Sequence, residues 1–250
     1  MKRTRNILTD ILLGALLVNL VWYIAYLVID TNALVDPLQV YASIGEVWKN
    51  SMSEHLMASL WRILAGVSIA GIIGLFTALW MTQNRIAGKV IGAFVYFAYP
   101  IPKLALLPVV MLLAGLGDLT KIIMIVLIIV FQVIINLRDS IQHIPRESFQ
   151  TVISLGANRW QTFWHVTLPA VVPDMLTTLR VAIGTAISVL FVTETYGTDR
   201  GMGYFIVDAW MRLNYIDMYV GIVILSMTGF VLFLLTDLLE ARLSKWKTNY

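Results

Sequence analysis

The groups able to do chemistry are few, and most stand in apolar surroundings. Arg62, Lys103 and Arg180 are cations within or at the edge of long apolar runs. Hydrocarbon penalises such charges, so each must face protein or water. Three cations can together make a passage friendly to anions, but each can equally snorkel or pair with an acid such as Glu194. Gln132 and Asn136 lie four apart, on one helical face, and Thr185, Ser188 and Thr193 follow a similar stripe toward Glu194. Such groups either line a solute path or bond helix to helix. Covalent chemistry lacks its parts. The chain has no cysteine, and His55, His143 and His165 all fall outside the apolar runs, so neither a nucleophile with its base nor a metal cluster is assembled in the membrane. No segment has the form G-x-x-x-x-G-K-[ST], so this chain cannot itself cradle ATP phosphates.

The elements that must hold these residues follow from composition. Of 250 residues, 59% are hydrophobic and 13% charged, too few charges to cover a water-soluble domain of this size. The bilayer is the solvent. The net charge of +3 is dispersed among apolar runs instead of gathered in a stripe, which argues against nucleic acid. Residues 11–29, 63–84, 122–137 and 218–236 are charge-free, and 90–117 and 175–193 carry only Lys103 and Arg180. A core of about 30 Å needs about 20 apolar helical residues, so an all-α integral membrane protein with six transmembrane helices is expected. The first run is longer than a secretory signal's apolar region and no cleavage site follows it, so it reads as a retained anchor. Threading alternately from an inside N-terminus puts eleven of the eighteen Lys and Arg on the cytoplasmic side: Lys2, Arg3, Arg5, Arg85, Lys89, Arg138, Arg146, Arg159, Arg242, Lys245 and Lys247. Only Lys49, Lys121, Arg200 and Arg212 fall outside, which predicts a multi-pass protein of the cytoplasmic membrane with both termini cytoplasmic.

Three further features concern packing. Tyr99-Pro100-Ile101-Pro102-Lys103 cannot continue an α-helix, so the third span is expected to break at 100–103, with the break packed inside the bundle. A short outer loop between two half-length helices is the alternative. Gly66, Ala70, Gly74 and Ala78 recur every four residues, a stripe that admits a neighbouring backbone, and Gly184 with Ser188 offers a shorter version. Trp22, Tyr23, Tyr26 and Trp80 suit interfacial belts, and 37–50 reads as a short surface helix.

Residues 138–172 form a loop far longer than a hairpin requires. Within 145–164, Pro145 suits a helix N-terminus, Glu147 its first turn, and Gly156 ends or breaks the helix, while Trp160, Phe163 and Trp164 supply an apolar face. Taken alone, such a loop either lies on the inner leaflet or docks a protein.

Gly156, nine residues, Val166, one residue, then Leu168-Pro169 resembles the second half of the "EAA" loop, E-A-A-x3-G-x9-I-x-L-P, of permease subunits of binding-protein-dependent ABC importers. Gln150, Thr151 and Val152 stand where the motif has Glu-Ala-Ala, so a contact from that position is polar and not ionic; Glu147 lies about one turn away. The chain is most similar to the nitrate, sulfonate and taurine group in Ser59-Leu60-Trp61-Arg62, Pro100-Ile101-Pro102-Lys103-Leu104-Ala105-Leu106-Leu107-Pro108, Gly115-Leu116-Gly117, Leu155-Gly156-Ala157, Gly201-Met202-Gly203 and Leu239-Glu240-Ala241-Arg242.

The resemblance implies a type I importer permease fold over 56–246, preceded by an anchor and outer connection over 1–55. It implies a second permease subunit, expected to be an identical copy, and an extracytoplasmic solute-binding protein. Two cytoplasmic ATPases would grip the loop at Glu147, Gln150, Gly156, Ala157, Trp160, Phe163, Leu168 and Pro169. ATP and Mg would sit on those partners, with no cofactor on this chain. The solute implied is a small anion such as nitrate, a sulfonate or taurine, with an uncharged or aromatic vitamin precursor as the alternative; Arg62, Lys103, Gln132, Asn136, Arg180, Ser188 and Glu194 are the pathway candidates. A secondary transporter would call for an inverted internal repeat, and the chain has none: the X-Pro break occurs once.

Overall fold

The computed structural model describes residues 2–29 and 31–243. Lys245, Lys247 and the end of the expected core at 246 lie outside the described residues, as do the side chains of Lys2, Arg3 and Arg5. Every regular element among the described residues is helical. In chain order these are α1 (Lys2–Ile29), α2 (Pro37–Val47), α3 (Ser53–Gln83), α4 (Arg85–Ala98), α5 (Leu107–Ala114), α6 (Asp118–Gln142), α7 (Arg146–Ser154), α8 (Arg159–Thr162), α9 (Leu168–Glu194), α10 (Met202–Met211) and α11 (Tyr215–Leu243). Five helical runs are long and apolar enough to cross a membrane; the bent pair of α4 with the segment Lys103–Ala114 makes a sixth.

Side-chain contacts fix the helix directions. The Gly66 backbone abuts Ile125 and that of Gly74 abuts Val133, so α3 and α6 run parallel. Asn136 meets Thr178 and Ser140 meets Asp174, so α6 and α9 are antiparallel. Ile187 packs at Gly229 while Arg180 pairs with Asp237, so α11 runs opposite to α9. Near the far end of α1, Trp22 stacks on Tyr219 at the start of α11. The start of α1, the end of α11 and the loop between α6 and α9 therefore share one side of the bundle, as alternate threading requires.

The core is built where small residues let ridged ones in. A Cβ at Gly66 would stand 2.6 Å from Ile125 Cγ2, and one at Gly74 would stand 2.4 Å from Val133 Cγ1, so the stripe of the second span is what allows α3 and α6 to touch. Ile63, Ala70, Met124, Ile129, Ala182 and Ala186 complete a dry centre between α3, α6 and α9. A second cluster joins Val40 and Met52 to Met202, Phe205 and Val220, so the segment before α3 is more than a connection. Asp36 caps α2 through the Leu38 amide, and a π-helical turn, Trp48–Met52, runs straight into α3.

Four expectations are corrected. The break after α4 is a bend of 85° that lies exposed in this chain, not buried among its helices. Its backbone is satisfied locally: Lys103 donates to the Tyr99 carbonyl and the Ile101 amide to Ala98. The bend folds Leu107 and Val110 of α5 against the bundle and leaves Tyr96, Phe97, Leu112 and Leu113 projecting. Gly184 meets nothing within 4 Å, and Ser188 bonds its own helix at the Gly184 carbonyl, so the shorter stripe packs against no helix of this chain. Lys121 is not a loop cation; it lies in the first turn of α6, fully buried. The loop expected over 138–172 is shorter, because α6 runs on to Gln142 and α9 already starts at Leu168, with Pro169 in its first turn and Pro173 inside the helix. The short helix α10 carries no strong sequence signal.

Candidate functional site

The loop between α6 and α9 is an ordered double helix-stop and helix-start. α7 ends in a Schellman motif: the Gly156 amide donates to Ile153 O at 2.9 Å and the Ala157 amide to Val152 O at 3.2 Å. That geometry demands a left-handed residue, and Gly156 supplies it with φ of +84°. Two residues later Asn158 and Gln161 exchange hydrogen bonds at 2.8 Å in a reciprocal capping box that starts α8. A π-helical turn, Phe163–Thr167, then leads into α9, so Arg159–Glu194 is one continuous helical run of 36 residues. α8 is thereby continuous with a helix about 40 Å long from Leu168 to Glu194.

The surface of this loop is aromatic. Trp160, Phe163 and Trp164 pack with ring centroids 5.6–5.8 Å apart. Trp160 remains 66% exposed. Glu147 and Gln150 are exposed on α7, as is Gly156 at its stop, while Ala157 and Phe163 border a groove of about 880 Å³ that reaches Leu79 and Gln83 at the end of α3. Leu168 and Pro169 form the first turn of α9. The loop thus presents a rigid, apolar knob beside a groove, the shape of a protein contact.

The polar candidates separate into distinct places. Asn136 reaches Thr178 at 3.4 Å, and Ser140 donates to Asp174 at 2.6 Å one turn on, a ladder between α6 and α9 toward the loop side. Thr185, Ser188 and Thr193 all bond carbonyls of their own helix, so none of them ties helix to helix. Lys103 lies over the rings of Tyr99 and Phe131, and among the described residues it has no carboxylate partner. Arg180 pairs with Asp237 at 2.6 Å and with Glu240. Gln132 lies half-buried on α6.

Arg62 and Glu194 face each other instead of a passage. They are 3% and 1% exposed, with Arg62 Nη1 2.7 Å from Glu194 Oε1. Fourteen residues of α9 separate Glu194 from Arg180, about 21 Å along the axis, so the cations do not form one ring.

Sequence reasoning missed the rest of this charge cluster. Arg62 Nη2 and Nε reach Asp118 Oδ1 at 2.6 and 2.9 Å, and Nη1 also donates to Arg200 O at 2.8 Å. Ser59 Oγ lies 2.9 Å from both Glu194 oxygens and accepts from the Met202 amide at 2.8 Å; the Gly203 amide donates to Glu194 at 2.9 Å. Lys121 Nζ donates to Leu116 O at 2.5 Å and Gly197 O at 3.1 Å. Arg62, Lys121 and Glu194 are buried and each is hydrogen-bonded, while Asp118 closes the cluster from a position still 54% exposed. A Cβ at Gly201 would stand 2.3 Å from Glu194 Cδ, so only glycine leaves room for the carboxylate. Ser59-Leu60-Trp61-Arg62, Gly115-Leu116-Gly117 and Gly201-Met202-Gly203 converge here, and that convergence was the available clue.

Known proteins resemble the chain in sequence and in fold. Residues 70–246 match the family described as "Binding-protein-dependent transport system inner membrane component". The chain is 30% identical to the taurine transport system permease protein TauC of Escherichia coli (strain K12), over 77% of this chain and 70% of that protein. It is 26% identical to the formylaminopyrimidine transport permease protein ThiX of Halalkalibacterium halodurans, over 99% of each. In fold it is similar to a chain of a bacterial alginate ABC transporter, with a TM-score of 0.63 at 16% identity over 96% of this chain and 98% of that one. A chain of the MetNI methionine ABC transporter gives 0.62 at 15% identity, over 77% and 97%. With that match over residues 70–246 and helices enough for up to six crossings, the chain belongs to the inner membrane components of binding-protein-dependent transport systems and is a permease subunit of an ABC importer.

Proposed function

We propose that two copies of this chain form the pathway of an importer for a small sulfonated or otherwise anionic solute, driven by two ATPases seated on the α7–α8 loop. The observation that carries the reading is the turn at 155–158, where a Schellman stop and a capping box hold an exposed aromatic knob rigid. The bend at 100–103 supports the second copy. It leaves Tyr96 and Leu112 each 87% exposed beside a half-buried lysine, a combination that a facing protein covers better than lipid does. The excess of cations at the loop side supports a cytoplasmic loop and cytoplasmic termini. ATP and Mg belong to the ATPases, and the solute arrives on an extracytoplasmic binding protein. Lys103 supports an anion, since it alone of the three membrane cations lacks a carboxylate partner among the described residues. Gln132, Asn136 and Ser188 are the further polar candidates for the proposed path.

A second reading, an uncharged pyrimidine-type solute, is favoured by the end-to-end match to the formylaminopyrimidine permease and by the internal pairing of Arg62 and Arg180. Affinity purification of the tagged chain from its own membranes, followed by mass measurement of the intact complex, tests the assembly. Two permease copies, two ATPases and a binding protein that docks are expected; a transport-competent monomer without an ATPase ends the reading. ATPase stimulation by taurine, an alkanesulfonate, nitrate or formylaminopyrimidine, each with the co-purified binding protein, decides the solute.

A further inference from the structure

The charge cluster stands at the opposite end of α9 from the aromatic knob. It joins the ends of α3, α6, α9 and α10 that lie farthest from the α7–α8 loop, and the segment 195–201 is wrapped around it. Four backbone groups of that segment and its continuation, the carbonyls of Gly197 and Arg200 and the amides of Met202 and Gly203, are held by Lys121, Arg62, Ser59 and Glu194. The Gly201 amide is held as well, donating to His55 Nδ1 at 3.2 Å. Yet the outward face of the same segment is exposed at Tyr196, Asp199 and Arg200. A segment solvated on one side and bonded to buried charge on the other moves only as its anchors move. One of those anchors, Glu194, is the last residue of α9, and the first turns of the same helical run are the aromatic knob of α8.

We propose that Ser59, Arg62 and Glu194 are positioning residues that lock the outer segment 195–201 to α9, so that displacement of α8 by the ATPases is delivered to the outer mouth of the permease. This rests on the importer reading above. The mechanics are those of a rigid-body switch: a helix about 40 Å long carries motion only if both ends are fastened. The knob fastens one end to the ATPase and the ion cluster fastens the other to the mouth. A hydrophobic end contact would allow the loop to slide, whereas the paired charges and five backbone hydrogen bonds have one geometry.

The test uses the permease–ATPase complex in lipid discs. The chain has no cysteine, so Asp199→Cys introduces a single reporter in it. Its rate of reaction with a membrane-impermeant maleimide is measured with and without ATP plus orthovanadate, which traps the ATPases closed. In the otherwise native chain, trapping is expected to change the rate by about five-fold or more. In Ser59→Ala, in Glu194→Gln and in the neutral pair Arg62→Gln/Glu194→Gln, that change is expected to vanish while the amount of trapped nucleotide stays the same. A response of undiminished size in the variants, or none in the native chain despite trapping, overturns the proposal. Failure of all three variants to assemble, the mild Ser59→Ala included, also overturns it, since the cluster would then be a structural staple alone. Absence of any co-purifying ATPase refutes the importer reading instead, so the two failures are distinguishable.

Discussion

Gly156→Val isolates one backbone angle. Gly156 has φ of +84° and the space around it is open, with nothing within 4 Å of a built Cβ. Steric crowding therefore contributes nothing, and the whole cost is that of holding an L residue in the left-handed region. That cost is about 1–2 kcal/mol and is worst for β-branched residues. It falls on the turn that joins α7 to α8, where two amides bond back to Ile153 and Val152. Relative to native, the ordered turn loses about five- to thirty-fold in population against unwound alternatives. If the ATPase binds only the ordered turn, its apparent Kd rises by up to the same factor. The α3–α6–α9 core is remote from the turn, so the variant should insert and purify as the native chain does. The control is Gly156→Asn, because asparagine tolerates the left-handed region and should retain most of the affinity. The assay is titration of the permease in lipid discs with purified ATPase, together with transport. Equal Kd values for glycine, asparagine and valine would refute the reasoning, and the loop would then be an inner-leaflet anchor.

Other outcomes follow from the same contacts. Gly74→Val drives a side chain into Val133, where a Cβ would already stand 2.4 Å from Cγ1, so a loss of about 1–3 kcal/mol and a lower Tm are expected; Gly184→Ala, mid-helix with nothing within 4 Å, should hold or raise Tm. Equal Tm shifts for the two would contradict the packing of α3 on α6. Cysteines at Gln142 and Asp199, both exposed and at opposite ends of the bundle, should react with an impermeant maleimide from opposite sides of the membrane, Gln142 from the cytoplasm; labelling of both from one side would sink the topology. Gln150→Glu places an acid on an exposed face of α7 and should leave Tm unchanged while holding or tightening ATPase binding; loss of binding would show that the polar contact at this position rejects charge.

What could be read from the sequence was what depends on one segment at a time. Apolar runs give six crossings because hydrocarbon thickness sets a length, and paired prolines give a break because they remove amide donors. Gly156 was readable as a helix stop because capping is local. The charge cluster was not, since Arg62 and Glu194 are 132 residues apart and meet only through the register of α3, α6 and α9. Lys121 shows the same limit. Near the end of an apolar run it reads as a loop cation, yet the carbonyls of Leu116 and Gly197 draw it into the protein. The two small-residue stripes make the point sharper. Gly66 and Gly74 face the β-branched ridges of Ile125 and Val133, whereas Gly184, with the same four-residue spacing to Ser188, borders a cavity toward Ile222 and Gly229 of α11 with nothing within 4 Å. Spacing announces that a close approach is permitted; the partner's shape decides whether it happens. Charge in the membrane obeys the same logic. Arg62, Lys103 and Arg180 were equal candidates for touching solute, and the register of the helices neutralised two of them with Glu194 and Asp237. Lys103 is left at an exposed bend as the one of the three without a carboxylate partner among the described residues.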